Sequence, residues 1–346
     1  MCPPFRGGIC DAEKQRLELI PDTECRGTLI LPGTTMTNQT PIEQIASLRQ
    51  ELERHNLLYY VNARPEITDR EYDSLMAQLI ELENAHPELQ SAESPSRKVG
   101  GEPVEGFTQV QHRVPMLSIE NAFQESELVD WDAGLRKALE REHLDYSVEY
   151  KIDGVAIAVI WDNGTLVRAA TRGNGAVGDD VTANARIIAG IPLRLMTEHA
   201  PATLEVRGEI VILSEDFAAF QAAQVKAGEE PFKNPRNAAA GALKLLDPKL
   251  ARERKLRFLA HGVGFVDGIA WASYSEFLTS IREMGIPTTP GVSQAHGFED
   301  LLNVCADMIA NVSELPFEVD GLVIKLNSLS DRDQLGATSK SPRWVR

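Results

Sequence analysis

Three short segments hold the side chains best suited to chemistry. Glu149-Tyr150-Lys151-Ile152-Asp153-Gly154 places a lysine amine between two carboxylates and ends on a turn-forming Asp-Gly pair. Arg207-Gly208-Glu209 and Asp320-Gly321-Leu322-Val323-Ile324-Lys325 add further carboxylates and cations, each in a stretch that reads as strand. Residues two apart on a strand share a face, so Glu149 and Lys151 point one way, as do Val323 and Lys325. A lysine beside a turn is unremarkable by itself, and ion pairs or solvated charge would account for any one of these segments. Their combination offers an amine nucleophile with carboxylates and cations around it.

Gly173-Asn174-Gly175-Ala176-Val177-Gly178 also fits G-x-G-x-x-G, the phosphate-binding turn of dinucleotide folds. Its context argues against that reading. Two apolar, β-rich runs, Ser147–Trp161 and Thr165–Thr171, are joined by Asp162-Asn163-Gly164, and Asn-Gly between such runs marks an antiparallel hairpin. A dinucleotide fold needs parallel strands with helical crossovers. The expectation is therefore a glycine-rich turn, and an oxidoreductase reading, which would show absorbance change on NAD⁺ reduction, is disfavoured.

The elements that must position these groups follow from periodicity. Thr40-Pro41-Ile42-Glu43 is a capping box with proline at the first helical position, followed by Ile45, Leu48, Leu52 and Tyr59 on one face, and Pro65 ends the pattern. Thr68-Asp69-Arg70-Glu71 opens a second helix with Tyr72, Leu75, Met76, Leu79 and Leu82 on one face, stopping before Pro87. Residues 40–90 thus read as a helical hairpin. Further strands are expected at Ala202–Leu213, Leu256–Phe265 and Phe317–Leu326, and a helix capped by Ser214 running through Phe217, Phe220 and Val225. Strands adjacent to strands with helices grouped between them imply an α+β fold on antiparallel sheets. Residues 1–35 lack periodicity and read as a disordered or misassigned leader, or an ordinary flexible extension.

Bulk properties narrow the class. The 346 residues allow two or three domains, and no apolar run approaches a membrane span. The start lacks the layout of a secretory signal, which argues for a cytosolic protein. Cys2, Cys10, Cys25 and Cys305 are too scattered for a disulfide framework, and no C-x-x-C pair suggests zinc. A formal charge of −16 argues against tight duplex binding by this chain alone, though a local basic patch remains compatible with it.

From about residue 40 onward the chain resembles the NAD⁺-dependent DNA ligases. The matching segments are His55–Tyr60, Ile67–Asp73, Pro115–Asn121, Glu149–Gly154, Ala170–Gly178, Glu205–Glu209, Asn234–Gly241, Val319–Lys325 and Pro342–Trp344, in order. The resemblance implies a helical nicotinamide mononucleotide (NMN)-binding module over residues 36–100. It also implies an ATP-grasp-like adenylation (nucleotidyltransferase) domain of antiparallel sheets and flanking helices over 101–346. ATP-dependent ligases and capping enzymes share the lysine chemistry but lack the helical module.

By the same resemblance, Lys151 attacks the α-phosphorus of NAD⁺ and expels NMN. A lysine nucleophile must be deprotonated although its ordinary pKa is about 10.4, and Lys325 is a candidate neighbouring cation to lower it. Lys325 would then hold the α-phosphate. Asp153 and Arg172 would orient nucleophile and ribose-phosphate, Gly154 matches a further nucleotide-binding position, and Glu149 would read adenine with Ser118 and Ile119 lining its pocket. Glu209 would bind ribose or support Mg²⁺ (or Mn²⁺), and Arg236 and Asp320 match further active-site positions. Tyr59, Tyr60, Asp69, Arg70, Glu71, Tyr72 and Asp73 match the NMN site, where aromatic faces suit a cationic nicotinamide. His261 falls where relatives often place a tyrosine over adenine, and Lys244 where arginine is frequent.

The partner implied is nicked double-stranded DNA, with repair and replication as setting, a monomer as form and no membrane. Relatives continue past Arg346 with a phosphate-contacting lysine, an oligonucleotide-binding barrel, a zinc module, helix-hairpin-helix repeats and a BRCT domain. The expectations are therefore a fragment or natural truncation that adenylates itself without sealing nicks, or alternatively a remnant that holds NAD⁺ or NMN with little turnover.

Overall fold

The computed structural model describes residues 40–61, 64, 66–91, 93–99 and 106–346. The leader expected over 1–35 and the helix-ending role of Pro65 lie outside them.

Both capping boxes form. Thr40 and Glu43 cap α1 (Pro41–Asn56), and Thr68 and Glu71 cap α2 (Asp69–Ala85), each with side chain and backbone bonded reciprocally. Ile45, Leu48, Leu52, Met76 and Leu79 are buried between the helices. Tyr59 departs from the expected face. A π-helical turn, Leu57–Val61, follows α1 and shifts the register, so Tyr59 lies exposed beside the Arg257 guanidinium, 5.9 Å from its ring centroid. Glu83, on α2, is buried and bonded to Arg49 and to the Ser96 hydroxyl, a polar clasp inside the hairpin.

Beyond the hairpin come β1 (Gln109–Gln111), α3 (Glu125–Leu139), β2 (Asp145–Ile152), β3 (Val155–Asp162), β4 (Thr165–Thr171), β5 (Val177–Asp179) and α4 (Thr182–Ala185). The chain continues with β6 (Thr203–Val211), α5 (Ser214–Ala227), α6 (Pro235–Leu243), α7 (Pro248–Arg252) and β7 (Arg257–Asp267). It ends with α8 (Tyr274–Glu283), β8 (Ser293–His296), α9 (Phe298–Ala310), β9 (Val319–Leu326) and α10 (Leu329–Leu335). Strand orders are β4-β3-β6-β7, β8-β2-β9 and β1-β5, and every pair of these strands is antiparallel. The α+β expectation therefore holds and the parallel dinucleotide fold is excluded.

One strand expectation needs correction. Ser147–Trp161 is not one run: it breaks at Asp153-Gly154 into β2 and β3, which belong to different sheets. Gly154 is required there, because an added Cβ would sit 2.6 Å from the Ile210 carbonyl oxygen of β6. The β3–β4 hairpin turns at Asn163 (φ 48°) and Gly164 (φ 81°), as Asn-Gly predicts. Ser214 is the first helical residue of α5 rather than its cap, which is Leu213 without a side-chain bond.

Two cores result. The larger packs the four-stranded sheet, with Ile157, Trp161, Val206 and Phe258, against α4, α6 and α8. The smaller packs Tyr146, Val148 and Ile324 against α3 and α9. The two sheets meet where β2 passes into β3, and that crossing carries the candidate site.

Candidate active site

A cleft of about 570 Å³ opens at the crossing, with Lys151 and Gly154 from the β2–β3 passage, Glu209 from β6, His261 from β7 and Lys325 from β9 on its walls. Ser118, Ile119, Glu149, Arg172 and Arg236 also line it. Nine of the eleven residues expected around the nucleotide therefore converge with Lys151. The other two, Asp153 and Asp320, bond to residues that do line it.

Lys151 sits where the β2–β9 register slips between Tyr150 and Ile152, so its side chain leaves the ladder. Its Nζ donates to both Asp320 carboxylate oxygens, at 2.8 and 2.7 Å. Arg236 donates to Asp153 Oδ1 at 2.6 Å, and that hydrogen bond raises the guanidinium above its ordinary value. Asn234 caps α6, accepting from the Asn237 N–H at 2.8 Å with Pro235 following, which fixes Arg236 at the cleft wall. Buried Ala238, Ala239 and Ala242 let this helix approach the sheet closely.

The cleft floor is a buried knot. Lys325 donates to Glu149 Oε1 and, at 2.5 Å, to the His261 carbonyl oxygen, while the Tyr274 hydroxyl lies 2.8 Å from Glu149 Oε2. Burial holds the Lys325 ammonium below its ordinary value, with Glu149 opposing. Burial and the Glu149 charge push the Tyr274 hydroxyl well above its own. This arrangement corrects the expectation that Lys325 neighbours Lys151: Lys325 pairs with Glu149, and the group beside Lys151 is the Asp320 carboxylate.

Glu209 faces His261 Nε2 at 3.5 Å through Oε1, while its Oε2 is buried without a hydrogen-bond partner. Lys244 pairs with Asp179 at 2.8 Å. Among the described residues, no group of three or more His, Cys, Asp or Glu could hold a metal ion.

The glycine-rich turn braces the loop that carries Ser118. Gly175 accepts from the Met116 N–H at 2.8 Å, and a Cβ there would lie 2.9 Å from the Met116 oxygen. Arg207 supports the same loop, donating to the Val114 and Pro115 carbonyl oxygens at 2.5 and 3.0 Å. Arg207, Met116 and Asn121 stood in segments picked out from sequence but were given no role of their own, and Tyr274 was not singled out at all. Arg207 lies inside Glu205–Glu209 and Met116 and Asn121 inside Pro115–Asn121, so those segments carried the signal that could have found them. Tyr274 stands 125 positions from the glutamate it touches, and no spacing encodes that.

The seven residues expected at the NMN site divide. Tyr59, Tyr72 and Asp73 line a second cleft of about 400 Å³ between the hairpin and the sheets, faced by Arg252, Lys255 and Arg257. His55, buried there, has Nδ1 without a hydrogen-bond partner. The Glu71 carboxylate is engaged in the α2 cap, and neither Glu71 nor Arg70 lines this cleft. The side chains of Tyr60 and Asp69 are outside the described residues. The two clefts share no lining residue.

The family model of the NAD-dependent DNA ligase adenylation domain matches residues 104–346. The chain belongs to that family. A second family model, the DNA ligase-like N-terminal NAD⁺-binding domain, matches residues 38–100. The DNA ligase of Rhodopirellula baltica is 44% identical over 312 residues, covering 87% of this chain and 44% of the relative. The DNA ligase of Halothermothrix orenii is 44% identical over 303 residues, covering 88% and 45%. The DNA ligase of Geobacter sulfurreducens is 43% identical over 313 residues, covering 90% and 47%. The chain thus spans a little under half the length of these curated relatives.

Proposed function

We propose that this chain is the adenylating core of an NAD⁺-dependent DNA ligase, with residues 36–100 as the NMN-binding module and 101–346 as the adenylation domain. Lys151 Nζ is the nucleophile. After losing its proton it bonds to the α-phosphorus of NAD⁺; the bond from that phosphorus to the bridging oxygen breaks, and NMN departs. In the complete ligase the AMP then passes to the 5′-phosphate of a DNA nick, freeing Lys151, and the 3′-hydroxyl displaces it. The compartment that fits this role is the bacterial cytoplasm.

The observation that carries the reading is the convergence of Lys151, Glu149, Glu209, Arg236 and Lys325 from separate elements onto one cleft wide enough for a nucleotide. Attack requires the Lys151 amine to turn from the Asp320 carboxylate, which it meets at 2.7 Å, toward the α-phosphorus, and that carboxylate is the nearby group to take the proton released. Arg172 and Arg236 line the wall where phosphate charge would gather. Glu149 accepts from the adenine amino group at the floor. Lys325 begins paired with Glu149 and reaches the phosphate only by turning out of that pair.

Mg²⁺ fits one position. Glu209 lines the cleft and its Oε2 lacks a hydrogen-bond partner, and Mg²⁺ commonly takes one or two carboxylates with phosphate oxygens and water completing its shell. Bound there it would neutralise phosphate charge. Tyr59, Tyr72 and Asp73, grouped at the hairpin cleft, would hold the nicotinamide nucleotide half. A remnant that only binds is the poorer account, because nucleophile, cations and carboxylates are all in place. Intact mass after NAD⁺ and Mg²⁺ tests the reading: a gain of one AMP supports it, and NAD⁺ binding with no gain favours the remnant.

A further inference from the structure

Arg332 is a buried cation with no part in the chemistry above, 6% exposed on α10. Its guanidinium is clamped between two rings, 4.6 Å from the Tyr274 centroid and 4.4 Å from that of Trp344. Nε donates to the Leu326 carbonyl oxygen at 2.6 Å, and Nη2 has no hydrogen-bond partner. Trp344 is held in turn by the end of the chain, which pairs along β9: Leu326 N–H donates to the Trp344 oxygen at 3.0 Å, and Ile324 and Arg346 exchange two bonds. The Pro-Arg-Trp segment noted in the sequence thereby becomes one jaw of a clamp.

The other jaw belongs to the cleft. The Tyr274 hydroxyl touches Glu149, and Lys325 Nζ also lies over the Tyr274 ring, 4.6 Å from its centroid. Two cations therefore attend one buried carboxylate. If Lys325 turns toward phosphate, Glu149 keeps the Tyr274 hydroxyl but loses the cation bonded to it, and a buried carboxylate left without positive charge nearby is strongly disfavoured. Burial pushes the Arg332 guanidinium down to about 10, so it still carries its charge at neutral pH.

We propose that Arg332 is a positioning residue of the nucleotide cleft: held between Tyr274 and Trp344, it supplies the standing counter-charge that keeps Glu149, through Tyr274, set to read the base when Lys325 turns to the phosphate. This rests on the adenylation reading, in which Glu149 accepts from the adenine amino group. The consequence is selectivity. Hypoxanthine carries an oxygen where adenine carries that amino group, so a properly set Glu149 rejects it.

The test is calorimetric binding of NAD⁺ and of nicotinamide hypoxanthine dinucleotide to the wild-type chain and to Arg332→Gln, Arg332→Lys and Tyr274→Phe, with melting temperatures alongside. The expected result is that Arg332→Gln weakens NAD⁺ roughly tenfold while the hypoxanthine analogue changes little. Arg332→Lys, which keeps the charge but not the planar stack, retains most of the preference. Tyr274→Phe loses it as Arg332→Gln does, and serves if the latter does not fold. Equal weakening of both ligands, no change in either, or Arg332→Lys behaving like Arg332→Gln would overturn the proposal. A wild-type chain that binds neither dinucleotide would instead sink the adenylation reading and this inference with it.

Discussion

Glu149 and Lys325 are two of the most buried charged side chains in the described molecule, and they meet at the floor of the cleft. Such a pair is costly to split, because one charge is then stranded away from water. We expect Glu149→Gln to destabilise the chain by about 3 kcal/mol, the range for removing one partner of a buried pair, read from urea unfolding. An unchanged midpoint would show that water reaches the floor and that the pair is not buried in solution. His261 makes a different residue-scale point. Sequence placed it at an adenine-facing position, and the structure adds that its imidazole faces Glu209 while its carbonyl oxygen receives Lys325. Residue type was legible there, but the second role comes from backbone geometry, which no side-chain pattern records.

At the scale of elements, the turn at Asp153-Gly154 decides where Lys151 points, since it hands the chain from one sheet to the other. A methyl group at Gly154 meets the Ile210 carbonyl oxygen at 2.6 Å and Glu209 Cβ at 3.1 Å. Gly154→Ala should therefore cost about 1–3 kcal/mol, as overpacking against backbone does, measured by thermal or denaturant melts. A variant as stable as the parent would mean that the crossing has slack. The helical hairpin offers a pH-dependent counterpart. Burial raises the Glu83 carboxyl, but the Ser94 and Ser96 hydroxyls and Arg49 outweigh it and hold the group below its ordinary range. A carboxylate lowered on folding contributes stability above its unfolded pKa of about 4.3. That contribution is lost as pH falls through the lower folded value. Melts of wild type and Glu83→Gln should differ at pH 7 and converge below about pH 4; a constant gap would contradict the clasp.

The same scale shows what sequence could reveal. Capping boxes at Thr40 and Thr68 and the Asn163-Gly164 turn were legible because each is a local rule satisfied within four residues. The assignment of β2 and β3 to different sheets was not, because Asp-Gly reads equally as a mid-strand irregularity. Tyr59 was misplaced since a π-turn inserts without any residue type that announces it. The partners of Lys151 and Lys325 lay beyond reach for a similar reason: Asp320 is 169 positions from Lys151, and Glu149 is 176 from Lys325.

At the scale of the molecule, the proposed function asks two clefts to serve one dinucleotide. The hairpin cleft carries Tyr59, Tyr72 and Asp73, the sheet cleft carries Lys151, and they have no wall in common. Glu93 ties the hairpin segment in its present place through Thr165 at 2.7 Å and Arg194 at 2.8 Å. On the proposed function, binding both halves of NAD⁺ is expected to shift the hairpin. Fluorophores at exposed Gln78 and Glu229 should report a change in transfer efficiency on adding NAD⁺, and Glu93→Ala should enlarge the shifted fraction before NAD⁺ is added. Identical transfer in all states would show that both halves of NAD⁺ are bound without movement.

All of this depends on Lys151 being the residue that takes the nucleotide. The most direct measurement is the intact mass of the chain after incubation with NAD⁺ and Mg²⁺, beside Lys151→Ala treated alike. The account predicts a gain of one AMP in the wild type, none in Lys151→Ala, and recovery of the modified peptide at Lys151. A wild type that binds NAD⁺ yet gains nothing, or a Lys151→Ala chain that still gains AMP, would contradict it.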